Sequence, residues 1–138
     1  MFDAEETSLP GCLRICPIVR ADRRGTFVKT FHVEEFRQLG LPTSFAEEYF
    51  SVSQHGVLRG LHFQIPPMEH EKIVYCAQGE VLDAVVDLRR GSPTYGRHEL
   101  FHLCAEEGTM IYIPKGMAHG FYVLSENALM MYQVTSVY

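Results

Sequence analysis

Residues 56–79, GVLRGLHFQIPPMEHEKIVYCAQG, form the stretch that decides the fold of this chain. Apolar residues alternate with polar ones on both sides of a Pro-Pro turn, which is typical of short strands joined by tight connections. The stretch places Arg59, His62 and Lys72 on these strands. We therefore predict a β domain whose strands carry cations and an imidazole.

A second stretch, residues 108–121 (GTMIYIPKGMAHGF), supplies His119 behind a Pro-x-Gly turn. Together the two stretches resemble the two halves of the cupin signature, in which a small β-barrel gathers polar side chains inside. Gln64 and Lys72 stand where that signature has its second histidine and its glutamate. A divalent cation prefers carboxylate or neutral imidazole ligands, and an ammonium group would repel it. The prediction is a site without a metal, suited to an anion or an oxyanion.

Five longer sequence boxes follow one another along nearly the whole chain. They are DRRGTF (22–27), GVLRGLHFQ (56–64), DLRRGSPTYG (87–96), IPKGMAHGF (113–121) and YQVTSVY (132–138). In content and order they resemble the boxes of the dTDP-4-dehydrorhamnose 3,5-epimerase family. The resemblance implies a cupin-like jelly-roll barrel and an enzyme of deoxysugar biosynthesis that needs no cofactor.

The composition bounds the class of protein. At 138 residues, the chain is expected to form one domain over residues 1–138. The net charge of −5 argues against nucleic-acid binding, although a few clustered cations can still bind a small anion. The N-terminus is acidic and polar, no apolar run reaches the length of a membrane span, and the four cysteines favour reduced thiols. We expect a cytoplasmic protein that binds neither nucleic acid nor membrane.

Hydrophobic periodicity predicts an all-β fold with one short helix. Val33, Phe36 and Leu39 repeat at helical spacing and predict a helix over residues 33–39. Alternation and turn residues predict strands over residues 12–20, 26–31, 49–53, 56–64, 73–78, 80–88, 98–103, 109–113, 120–124 and 128–135. Many short strands with little helix indicate a sandwich or a barrel.

Three side chains have the chemistry for proton transfer next to a ketone. His62 can take a proton near neutral pH, and Lys72 can hold the oxyanion of the resulting enolate. A phenol such as Tyr132 could return a proton to the opposite face, which is what inversion of a carbon needs. The family resemblance implies the same roles for the same three residues.

The expected substrate is a nucleotide-diphosphate sugar, specifically a 4-keto-6-deoxyhexose inverted at C3, C5 or both. The resemblance implies that Arg59 and other cations hold the diphosphate. The candidate substrate-binding residues are Arg24, Phe27, Lys29, Glu47, Tyr49, Arg59, Gln64, Asp83, His119 and Tyr138. Lys29 and the Glu47-Glu48-Tyr49 run replace a Glu and a Q-D-N run that are usual in the family, so the nucleoside stays open.

The family normally continues for several dozen residues beyond the position of Tyr138 and supplies from them an Asp that orients the catalytic histidine. Asp83, inside VLDAVVD, is expected to be buried beside a cation or an imidazole and is the internal candidate to serve His62. The resemblance also implies a homodimer in which Arg24 completes the partner's pocket. Two alternatives stay open: a nucleotide-sugar 3,4-ketoisomerase, and a non-catalytic module that binds sugar nucleotides.

Overall fold

The computed structural model describes residues 1–138, which form twelve β-strands and one short helix. The elements are β1 (Asp3–Glu6), β2 (Leu13–Cys16), β3 (Val19–Asp22), β4 (Gly25–Val28), α1 (Val33–Gln38), β5 (Glu47–Gln54), β6 (Leu58–His62), β7 (Lys72–Gln78), β8 (Glu80–Asp87), β9 (His98–Cys104), β10 (Met110–Ile113), β11 (Met117–Val123) and β12 (Asn127–Val134). The predicted all-β, cupin-like jelly-roll class with one short helix is confirmed.

The strands form two larger antiparallel sheets and one hairpin. The order in the six-stranded sheet is β1-β2-β10-β7-β12-β5, and in the four-stranded sheet it is β6-β11-β8-β9. Strands β3 and β4 pair only with each other. One core cluster contains Val74 and Met130 from the larger sheet together with Val85 and Phe101 from the smaller one. The two sheets therefore bury their inner faces against each other, and β8 shows the expected alternation of buried and half-buried residues.

Helix α1 covers a second, smaller core on the outer side of the six-stranded sheet. Phe36 is fully buried, and its ring meets the edges or faces of Phe2 and Phe31 at centroid distances of 5.2 and 4.9 Å. The ring of His32 accepts a hydrogen bond from the backbone N–H of Glu35 and so caps the helix. The predicted helix is confirmed within one residue. No helix of the structure has the length and apolar character needed to span a membrane.

Several predicted strand boundaries differ from the structure; for example, the strand predicted over residues 120–124 begins three residues earlier, at Met117. The predicted strand 12–20 is two strands, because Pro17 lies between β2 and β3 and has no N–H for a ladder. The strand that begins near Gly25 ends at Val28 rather than near residue 31, and the strand predicted to reach residue 64 ends at His62. Strand β1 was not predicted.

Strands β6 and β11 approach each other unusually closely. Gly60 has a φ of +126°, and a Cβ built on it would lie 2.6 Å from the Cα of Gly120. Glycine is therefore required at position 60 both for its backbone conformation and for the space. On either side of this contact, His62 pairs with His119 and Arg59 pairs with Phe121.

Candidate active site

A cavity of about 190 Å³ lies between the two sheets, and more than half of the predicted catalytic and binding residues line it. Its walls come from β5, β7 and β12 of the larger sheet and from β6 and β11 of the smaller one. The lining residues are Tyr49, Ser51, Arg59, His62, Lys72, His119, Gly120, Phe121, Tyr132 and Tyr138. The three predicted catalytic residues, His62, Lys72 and Tyr132, thus share one cavity.

His62 is the last residue of β6 and stays open to the cavity. Partial burial lowers the pKa of its imidazole, and the neighbouring charges of Lys72, His119 and Arg59 lower it further. The imidazole is therefore held in its neutral form at neutral pH. That is the form that can accept a proton.

Lys72 begins β7 and is almost completely buried. Burial lowers the pKa of its ammonium to about 8, while the negative charge of Asp83 acts in the opposite direction. The residue thus supplies a desolvated positive charge inside the cavity. No group of three His, Cys, Asp or Glu side chains comes together in an arrangement that could hold a metal ion.

Tyr132 lies on β12, and its phenol is held from two directions. Its hydroxyl forms a 2.7 Å hydrogen bond with Ser51 Oγ, and its ring stacks on Tyr49 at a centroid distance of 5.0 Å. Burial raises the pKa of Tyr132, whereas the hydrogen bond with Ser51 and the charge of Arg59 lower it. Burial also raises the pKa of Tyr49 to about 12. Both phenols therefore carry their protons at neutral pH.

Asp83 is fully buried on β8. It was predicted to lie beside a cation or an imidazole, and its partner is the imidazole of His119. The distance from His119 Nε2 to Asp83 Oδ2 is 2.6 Å, and Oδ1 has no hydrogen-bond partner. Burial raises the pKa of Asp83, and the charge and hydrogen bond of His119 oppose that rise. The prediction that Asp83 serves His62 is wrong in this structure, because β11, which carries His119, lies between β8 and β6.

Arg59 lies on β6 and contributes a second cation to the cavity. Its Nε donates a 2.7 Å hydrogen bond to Ser53 Oγ. The two terminal nitrogens of the guanidinium make no hydrogen bond within the chain, so they are available to an anionic ligand. A fork of this kind suits phosphate oxygens.

Two predicted binding residues, Glu47 and Gln64, lie outside the cavity wall and hold residues 137–138 instead. The backbone N–H of Tyr138 donates to Glu47 Oε1 at 2.6 Å, and Gln64 Nε2 donates to the carbonyl of Val137 at 3.2 Å. Gln64 was expected to lie on the strand predicted over residues 56–64, but β6 ends at His62. Tyr138 completes the cavity, with its ring 6.2 Å from that of Tyr49.

Arg24, Phe27 and Lys29 do not reach the cavity of their own chain. Arg24 and Phe27 lie on the β3–β4 hairpin, which pairs with neither large sheet, and Lys29 follows it directly. The Arg24 guanidinium forms an exposed ion pair of 2.6 Å with Asp22, and the Phe27 side chain is 65% exposed. A separate depression along the hairpin is lined by residues between Arg20 and Phe27 and contains no imidazole.

Sequence reasoning missed Ser51 and Ser53, which hold the Tyr132 phenol and the Arg59 guanidinium. The signal that could have found them is their alternation with Tyr49, because side chains two apart on a strand share a face.

Comparison with known proteins identifies the family of this chain. A family model described as dTDP-4-dehydrorhamnose 3,5-epimerase matches residues 6–138. The dTDP-4-dehydrorhamnose 3,5-epimerase of Shigella flexneri is 40% identical over 134 residues, which cover 96% of this chain and 74% of that protein.

Solved structures give the same result. The dTDP-6-deoxy-D-glucose-3,5-epimerase of Legionella pneumophila Philadelphia 1, in complex with dTDP-4-keto-L-rhamnose, is 40% identical and aligns with a TM-score of 0.94, covering 100% of this chain and 73% of that one. A 3'-monoepimerase of Streptomyces bikiniensis, in complex with dTDP-quinovose, is 37% identical with a TM-score of 0.88, covering 96% of this chain and 67% of that one. In sequence and fold, this chain belongs to the dTDP-4-dehydrorhamnose 3,5-epimerase family.

Proposed function

We propose that this protein is an isomerase that inverts C3, C5 or both of a nucleotide-linked 4-keto-6-deoxyhexose. The observation that carries the proposal is the meeting of His62, Lys72 and Tyr132 in one cavity, contributed by three different strands. An imidazole and a phenol on separate walls, with a buried cation between the sheets, suit a reaction that removes and returns a proton at one carbon.

The proposed reaction has two proton transfers. The neutral imidazole of His62 takes the proton from the carbon next to the ketone, and the C–H electron pair forms an enolate. The Lys72 ammonium stabilises the negative charge that develops on the ketone oxygen. Tyr132 then gives its phenolic proton to the same carbon from the opposite face, which leaves a phenolate and an inverted carbon.

Arg59 is proposed to hold the diphosphate, because its terminal nitrogens have no partner in the chain. Tyr49 and Tyr138 offer aromatic surface for the sugar or the nucleobase. The relatives include both 3,5-epimerases and a 3'-monoepimerase, so inversion of one carbon and inversion of two are both consistent with this family. The dTDP-sugars bound in the structures of two relatives make a dTDP-linked sugar the first candidate.

The test is deuterium incorporation from solvent. The protein is incubated in D₂O with dTDP-, CDP- and GDP-linked 4-keto-6-deoxyglucose, and NMR follows C3 and C5. We expect exchange and inversion at one or both carbons. Movement of the keto group without inversion would indicate a ketoisomerase. Calorimetric binding with no exchange for any of the three sugars would indicate a binding module, and either result would contradict the proposal.

Three variants assign the roles. His62→Ala should abolish exchange, because no other imidazole lies on β6. Lys72→Ala should slow all exchange by about 10²–10³, the usual effect of losing one preorganised oxyanion partner. Tyr132→Phe should reduce inversion more than exchange, since the base and the cation stay in place. Equal losses of exchange and inversion in Tyr132→Phe would contradict a two-face mechanism.

We further propose a homodimer in which the β3–β4 hairpin of one protomer reaches the cavity of its partner. Arg24 and Phe27 are exposed on that hairpin and have no role in the cavity of their own chain. The smaller sheet also exposes large apolar side chains: Leu58 at 71%, Leu61 at 52% and Leu100 at 51%. Exposed apolar surface of this kind is typical of a protein interface.

A further inference from the structure

In the middle of the edge strand β5, residues 50–53 place serines on the inner face and apolar side chains on the outer face. Its inward-facing residues include Ser51 and Ser53, whereas Phe50 and Val52 on the opposite face are 63% and 57% exposed. A half-buried antiparallel strand normally turns its apolar residues inward and its polar residues outward. Packing alone therefore does not explain the two inward serines.

Each inward serine contacts a different functional group of the cavity. Ser51 Oγ lies 2.7 Å from the hydroxyl of Tyr132, and Ser53 Oγ accepts a 2.7 Å hydrogen bond from Arg59 Nε. Tyr132 comes from a neighbouring strand of the same sheet, and Arg59 comes from the other sheet. One strand thus holds two groups that do different work in the proposed reaction.

We propose that Ser51 and Ser53 are positioning residues, Ser51 for the proton-donating phenol of Tyr132 and Ser53 for the diphosphate-binding guanidinium of Arg59. This inference rests on the proposed epimerase function and deepens it. The two serines are expected to support different steps: Ser51 the return of the proton, and Ser53 the binding of the substrate.

Ser51 acts at the moment of proton return. When the O–H bond of Tyr132 breaks and a C–H bond forms, the phenol becomes a phenolate in a buried position. The Ser51 hydroxyl can then donate to that phenolate, and a hydrogen bond to a charged oxygen is stronger than one to a neutral oxygen. Before the transfer, the same contact fixes where the Tyr132 oxygen lies, and positioning of this kind is a large part of catalysis.

Ser53 acts on binding. It is 3% exposed, so its hydroxyl is removed from water and its side-chain partner is the Arg59 Nε. A guanidinium is planar, and fixing Nε also fixes the direction of the two terminal nitrogens. The side chain of Arg59 is therefore already ordered before a diphosphate arrives, and the ligand does not have to order it.

The experiment compares Ser51→Ala, Ser51→Thr and Ser53→Ala with the matched control Val52→Ala, which truncates a neighbouring side chain on the outer face of the same strand. Each full-length variant is assayed with the sugar that the unchanged protein epimerises. Exchange, inversion, kcat and KM are measured, and thermal unfolding verifies the fold.

Ser51→Ala should lower the ratio of inversion to exchange about tenfold, with little change in KM, because a hydrogen bond to a charged group is lost. Ser51→Thr keeps the hydroxyl and should restore the ratio. Ser53→Ala should raise KM about tenfold and leave the ratio unchanged. Val52→Ala should match the unchanged protein.

An unchanged ratio in Ser51→Ala, or the same kinetic change in both serine variants, would overturn this inference while the proposed function stands. Absence of exchange by the unchanged protein would contradict the proposed function, and this inference with it. The two failures are therefore distinguishable.

Discussion

Lys72 carries its positive charge in a nearly water-free position, and burial lowers the pKa of its ammonium to about 8. The imidazole of His62, in the same cavity, has its pKa lowered from 6.5. The proposed reaction needs the lysine charged and the imidazole neutral. These two requirements limit the active pH range from opposite sides.

The rate of deuterium exchange should therefore follow a bell-shaped pH profile. As the pH is raised, the rate should first increase, because His62 loses its proton at a pH below 6.5. The rate should then fall as the pH passes about 8, where Lys72 loses its charge. In Lys72→Arg, the guanidinium stays charged, so the alkaline fall should disappear even if the overall rate is lower. An alkaline fall at the same pH in Lys72→Arg would assign that limb to another group.

At the residue scale, the sequence motifs predicted the members of the cavity better than their contacts. His62, Lys72 and Tyr132 were predicted together and lie together. The partner of Asp83 could be predicted only as a cation or an imidazole, because choosing between His62 and His119 requires the strand order. Gln64 was predicted to lie on a strand, but that strand, β6, ends two residues earlier, at His62.

At the scale of elements, the contact between β6 and β11 decides whether Arg59 and His62 face the cavity. Gly60 lies between them on β6 and leaves no room for a side chain against Gly120. A displaced β6 would move a proposed phosphate-binding group and the proposed base at the same time. Stability and activity are thus linked at this glycine.

Gly60→Ala should lower the free energy of unfolding by about 1–3 kcal/mol, the usual cost of forcing an extra methyl into a packed site, with strain at positive φ in addition. It should also reduce exchange. Gly91→Ala is the control, because nothing lies within 4 Å of a Cβ built there. Urea unfolding and exchange assays provide the measurements. Equal stability of the two variants would contradict the tight β6–β11 contact.

Elements with a periodic pattern were predictable, and those without one were not. Helix α1 has apolar residues at helical spacing and was found within one residue. Strand β1, with the sequence DAEE, is exposed throughout and pairs with β2 through its backbone, so its side chains carry no strand signal. Pro17 could have predicted the break between β2 and β3, because a proline in a central strand lacks the N–H for a ladder hydrogen bond.

At the scale of the whole molecule, the proposed homodimer assigns parts of each active site to two protomers. Arg24 would come from one protomer and His62 from its partner. Two variants that are each inactive in both of their sites should then complement each other when their subunits are mixed.

Arg24→Ala and His62→Ala homodimers should each be nearly inactive, whereas a mixture refolded at a 1:1 ratio should recover about a quarter of the unchanged activity. Half of the random dimers are mixed, and each mixed dimer has one intact site out of two. Exchange assays and light scattering of the same samples provide the measurement. No recovery, or the mass of a single chain in light scattering at micromolar concentration, would exclude this arrangement.

The walls of the cavity come from both sheets, and this makes a bound ligand a cross-brace between the two layers of the fold. Separating the sheets would require the ligand to leave, so heat denaturation should report occupancy without any chemical turnover. A nucleotide at about 100 times its Kd adds about 2.7 kcal/mol to the unfolding free energy. When dTDP, CDP and GDP are compared alone at one common concentration, the rise in melting temperature should be largest for the nucleotide with the lowest Kd, which would identify the nucleoside that this protein selects.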